Sequence, residues 1–155
     1  MVAHDDKVGL GRIMPMMIPI PTAILASVFV LLSAIHFLWV FGGKWGLETA
    51  IPADDGVPLF NPGKPMTCFV ALVLLAAAFV TTWRVGVPDI GPAWIPRAGV
   101  WVIAIVFAIR AIGDFRYCGF FKRVRNTRFA KADSFIFSPL CAAISALSTW
   151  ISLNY

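Results

Sequence analysis

Four long runs almost free of charge, near residues 20–41, 66–84, 97–115 and 135–153, constrain this chain more than any other feature. Each is long enough to cross a hydrocarbon core of about 30 Å at about 1.5 Å per helical residue. Backbone in lipid must satisfy its own polar groups, so a crossing run is either a helix or a strand of a closed barrel. Barrel strands alternate in hydrophobicity over short segments. These runs are continuous and rich in Ala, Leu and Ile, so the expected fold is all-α, an integral membrane four-helix bundle forming one domain over residues 1–155. A 59% hydrophobic composition and a mean hydropathy of +0.83 leave no room for a separate soluble domain.

Lys7 and Arg12 precede the first run in the manner of a secretory leader, but the uncharged stretch 13–41 is far longer than a leader's apolar region, and an uncleaved span is expected. Prolines 15, 19 and 21 disfavour helix before them, and Pro21 suits a first helical turn. The first helix is therefore predicted to start near Ile20.

With four spans, the termini and the second connection share one face. Lys7, Arg12, Arg84 and Arg97 fall there, against Lys44, Lys64, Arg116, Lys122, Arg123, Arg125, Arg128 and Lys131 on the other. The positive-inside bias makes the second face cytoplasmic, so the expected location is a cell inner membrane, crossed several times, with non-cytoplasmic termini. Tryptophans fit interfacial belts at both ends: Trp39 and Trp45 on the cytoplasmic side, Trp83, Trp94 and Trp150 on the other. Cys68, Cys118 and Cys141 all fall toward the reducing side, where no disulfide is expected. The net charge of +5 comes from a basic cluster in a short connection with no nucleic-acid motif. Its expected partners are membrane lipids, with anionic headgroups foremost, rather than nucleic acid.

In the last span Ser138, Cys141, Ser145, Ser148 and Ser152 recur every three or four residues, a stripe of small side chains suited to helix packing. Leu140, Ile144, Leu147 and Ile151 fall on other faces and are expected to meet lipid. No GxSxG turn makes any of these serines a nucleophile. In the third span Gly99, Ile103, Val106, Arg110, Gly113 and Tyr117 form one row, with Asp114 four residues after Arg110. At that spacing the two charges can neutralise each other on a helix, and Arg110 lies close enough to the interface for its guanidinium to reach headgroups or a polar pocket. His36 lies at a similar depth in the first span, so His36, Arg110 and Asp114 are expected to converge, with Glu48 bringing another carboxylate to the same surface.

The segments HFLWVFGGKWG with AIP after it, RAIGDFRYCGFFK, FAKADS and SPLC together resemble an uncharacterised bacterial family of small four-helix membrane proteins, of the domain-of-unknown-function 3995 type. The resemblance runs from about His36 to Cys141 and implies that His36, Trp39, Gly43, Trp45, Arg110, Gly113, Asp114 and Asp133 belong to the family pattern. It carries no activity with it. The candidate polar site therefore comprises His36, Glu48, Arg110, Asp114, Tyr117 and Asp133, with Trp39 and Trp45 as interface aromatics.

Two functions fit these residues. One is a non-catalytic accessory protein, or a binder of a lipid or amphipathic ligand, with a protein partner or a second copy of the chain as a further partner. The other is a membrane enzyme acting on a lipid or isoprenoid-like substrate, with His36 as acid or base, Asp114 orienting it and Arg110 holding an anionic group. No close ligand spacing supports a metal among His36, Cys68, Cys118 and Cys141, and no cofactor is expected. Reporter fusions should place both termini outside the cytoplasm and the connections 42–65 and 116–134 inside it. A cytoplasmic C-terminus would reverse the orientation.

Overall fold

The computed structural model describes residues 18–54, 57–88 and 90–155; Lys7, Arg12 and Pro15 lie outside them. Helix α1 spans Ile20–Val40, the one-turn α2 Leu47–Ala50, α3 Lys64–Arg84 and α4 Trp94–Ile112. Helix α5 (Arg128–Ala132) runs through a π turn (Asp133–Phe137) into α6 (Ser138–Asn154), making one continuous helix of 27 residues. A two-residue antiparallel ladder, Ala53–Asp54 with Val57–Pro58, closes the loop after α2. Helices α1, α3, α4 and α5–α6 are long and apolar enough to cross a membrane, and the chain is a multi-pass membrane protein with an all-helical bundle.

Local chemistry explains the helix limits. Pro21 occupies the first turn of α1 and Pro65 that of α3, where a missing N–H costs nothing. The third helix stops at Ile112, three residues before the expected limit of 115, because Gly113 adopts φ 93° and ψ −173° and leaves the helical path. The last helix starts at Arg128, seven residues earlier than expected. Pro139 accounts for the π turn between: its ring would meet the carbonyl of Phe135 in a regular α-helix, and the wider turn relieves that clash. There Ser138 N–H donates to the Asp133 carbonyl, five residues back.

Pairing is uneven around the bundle. Helices α1 and α3 pack along their lengths, as do α4 and α6. Each pair is joined by a hydroxyl reaching a backbone carbonyl of its neighbour: Ser33 Oγ donates to Ala71 O at 2.8 Å, and Ser145 Oγ to Ala104 O at 2.8 Å. Helix α3 meets α4 closely where Gly99 lies against Val80; a Cβ on Gly99 would fall 2.6 Å from Val80 Cγ1. Leu25, Phe29, Leu74, Ala78, Val100, Ile144 and Ile151 form the core between the helices.

Ser138, Cys141, Ser148 and Ser152 are buried and Ser145 is half-buried, so the small stripe of α6 turns toward its neighbours. The expected lipid-facing stripe beside it is corrected: Ile144 and Ile151 are buried in the core, and Leu140 and Leu147 pack against it. Small side chains bring the backbones together, and the neighbouring isoleucines then fill the space around that contact. The exposed face of α6 instead carries Ala143, Ala146, Trp150 and Leu153. Ser145→Leu should therefore lower the thermal midpoint in detergent by the equivalent of about 1–3 kcal/mol, the usual cost of overpacking, while Ala146→Leu leaves it nearly unchanged. Equal midpoints would reverse the orientation of α6.

Candidate functional site

Four chain segments meet at the end of the bundle that holds the C-terminus of α4 and the N-termini of α3 and α5. The helix break at Gly113 opens a short loop, and a Cβ on Gly113 would run into the Cys118 carbonyl. Gly119, at φ 88°, lies against Gly113 just as tightly, and Phe120 N–H donates to Ala111 O at 2.9 Å, closing the loop on itself. Only residues without a side chain permit that approach in a left-handed backbone conformation. Asp114 fills the inside of the loop, accepting the backbone N–H groups of Arg116 (2.9 Å), Tyr117 (2.7 Å) and Cys118 (2.9 Å). Partial desolvation opposes ionisation of this carboxyl, but the backbone donors outweigh it and lower its pKa to about 2. Burial pushes the Cys118 thiol up.

The expected Arg110–Asp114 pair is therefore absent. Asp114 lies past the helix break and is spent on the loop, while Arg110 reaches across to the last helix. Its Nη2 donates to Asp133 Oδ1 at 2.8 Å. Asp133 is 0% exposed, and its Oδ2 receives Gly119 N–H at 2.8 Å, Lys122 Nζ at 2.9 Å and Ser138 Oγ at 3.1 Å. Lys122 is 2% exposed and also donates to Gly119 O at 3.1 Å. Four donors match the roughly four acceptor sites of a carboxylate. The π turn makes this possible, since a five-residue turn brings Asp133 and Ser138 to one face.

His36, Trp39, Trp45 and Glu48 make contacts of their own. His36 Nδ1 lies 2.7 Å from Leu32 O of its own helix and its ring packs on Trp39, 4.9 Å between centroids. Among the described residues no hydrogen bond or ion pair links His36 to Arg110, Asp114 or Asp133. Trp39 Nε1 donates to Trp45 O at 2.8 Å and fixes the turn after α1, with the Trp45 ring exposed. Glu48 meets Arg128 at 3.4 Å, an open contact between two largely exposed side chains that ties α2 to α5. The Tyr117 ring lies 5.0 Å below the Arg116 guanidinium. No group of His, Cys, Asp and Glu among the described residues is placed to hold a metal ion.

Lys122 and Gly119 are the members of the cluster that sequence reasoning missed. A signal existed: Asp133 is the only carboxylate side chain after Asp114, set among basic residues and next to a long apolar run, and a buried carboxylate there needs a cation. The assembled group carries two cations against one anion. The Arg110 side chain remains 34% exposed, while its Nη1 is buried and has no acceptor among the described residues. The arrangement can thus brace three segments and present positive charge outward. Asp133→Ala should destabilise the protein by about 3–5 kcal/mol in detergent unfolding, because it leaves Lys122 buried and uncompensated. Asp114→Ala should cost less, removing a loop cap at an exposed position; the opposite order would displace Asp133 from its central role.

No curated protein and no solved structure matches the chain. A family model described as "Protein of unknown function (DUF3995)" matches residues 29–148, a region that contains His36, Arg110, Asp114, Lys122, Asp133 and most of the small stripe. With well over half its length matched, the chain belongs to the DUF3995 family.

Proposed function

We propose that this is a non-catalytic membrane protein that holds anionic amphipathic lipid at its basic end. The observation that carries this reading is the division of its cations. Lys122 and one arm of Arg110 are consumed by Asp133, whereas Lys44, Lys64, Arg116, Arg123, Arg125, Arg128 and Lys131 are exposed around the braced loop. At the opposite end, the described residues offer Arg84 and Arg97. On this reading the basic end faces the cytoplasm across a cell inner membrane, where anionic headgroups attract juxtamembrane cations by about 1 kcal/mol each. The engagement of His36 and Asp114 each within its own segment supports the non-catalytic reading.

Thermal stability of the purified protein in mild detergent tests the proposal. Added phosphatidylglycerol should raise the midpoint in a concentration-dependent way, as any ligand of the folded state does, and phosphatidylcholine should not. Salt near 1 M should erase the difference, because exposed charges are then screened within about 3 Å. Equal stabilisation by both lipids would overturn it.

A further inference from the structure

Helices α3 and α4 touch where Gly99 meets Val80 and separate toward the basic end, leaving a groove of about 300 Å³ between them. That volume is at the lower end of the range for ligand pockets, roughly 300–1,000 Å³. Its walls are apolar throughout, with Phe69, Val70 and Val73 on α3 facing Ile103, Val106 and Phe107 on α4. Along α3 the lining reaches from Phe69 to Ala77, a length of about 12 Å at about 1.5 Å per residue. A shape this long and without a polar group suits an acyl chain.

Charge stands at one end of it. Ile103, Val106 and Arg110 follow at three- and four-residue intervals on a single face of α4, so Arg110 comes one turn beyond the lining, toward the basic end. Because α3 and α4 are antiparallel and meet at Val80 and Gly99, Arg110 comes level with Phe69 at the groove's mouth. Its Nη2 donates to Asp133, its Nη1 is buried with no acceptor among the described residues, and the side chain as a whole is one-third exposed. The two cations bound to Asp133 leave the cluster one positive charge in excess.

We propose that the α3–α4 groove and Arg110 together bind one anionic phospholipid, with an acyl chain between the helices and the phosphate against the guanidinium. This rests on the reading of the basic end as an anionic-headgroup surface and adds a defined place and stoichiometry to it. A phosphate would meet the exposed part of the Arg110 side chain, and a charge-assisted bond there is stronger than a neutral one.

The test uses the full chain in nanodiscs of equal phosphatidylglycerol and phosphatidylcholine, extracted and read by native mass spectrometry. Val73→Trp and Val106→Trp enlarge exposed groove-lining residues without entering the core, and Leu72→Trp is an exposed change outside the lining. The parent protein and Leu72→Trp should retain one phosphatidylglycerol. Both groove variants should retain about tenfold less, and Arg110→Lys, which keeps the charge for Asp133 but loses the planar fork, should lose the preference for phosphatidylglycerol over phosphatidylcholine. Undiminished retention in both groove variants would overturn the groove site while leaving the headgroup reading standing. No preference for phosphatidylglycerol in the parent protein would overturn both, and retention of a free fatty acid in place of the phospholipid would overturn the assignment of the occupant.

Discussion

A carboxylate with no exposed surface has to find donors for both oxygens inside the protein, and the way Asp133 finds them sets the geometry of the whole basic end. Arg110 comes from the end of α4, Gly119 and Lys122 from the connecting loop, and Ser138 from the start of α6. None of these can move far without leaving a charge or a polar group unsatisfied in a region of low dielectric. The features that look irregular in isolation serve this contact. Pro139 induces the π turn that aligns Ser138 with Asp133. Gly113 and Gly119 let the loop fold tightly enough for a backbone N–H to reach the carboxylate.

Much of the architecture was legible because hydropathy and helix length are tied directly to bilayer thickness. The small-residue face of α6 was legible too, since close backbone approach requires small side chains at helical spacing. Hydropathy could not say which isoleucines face lipid: Ile144 and Ile151 are apolar in either setting, and a membrane helix gains no polar face to mark its exterior. The choice of partner for Arg110 was hidden for a different reason. Spacing of four residues favours Asp114 only if the helix continues, and Gly113 ends it. A glycine directly before an aspartate at the end of an apolar run is a recognisable stop signal, and giving it weight would have freed Arg110 for another acid.

The basic residues of the third connection do two different jobs, which a count of charges merges into one. Lys122 sits inside the protein and neutralises Asp133, while Arg123 and Arg125 beside it are exposed. Burial separates them, and burial follows from the register of the loop rather than from residue type. The same distinction divides the acids: Asp114 organises backbone at the surface, whereas Asp133 holds elements together from within.

The hydroxyl-to-carbonyl bonds at Ser33 and Ser145 have a consequence for the order of assembly. Each lies within a pair of helices consecutive among the four spans, α1 with α3 and α4 with α6, and neither crosses from one pair to the other. The bundle is thus two helical hairpins, each carrying its own latch. During synthesis, which proceeds from the N-terminus, the first hairpin has every group its latch needs before α4 is made. The second closes by the same means once α6 emerges, and the Asp133 cluster belongs wholly to this later half.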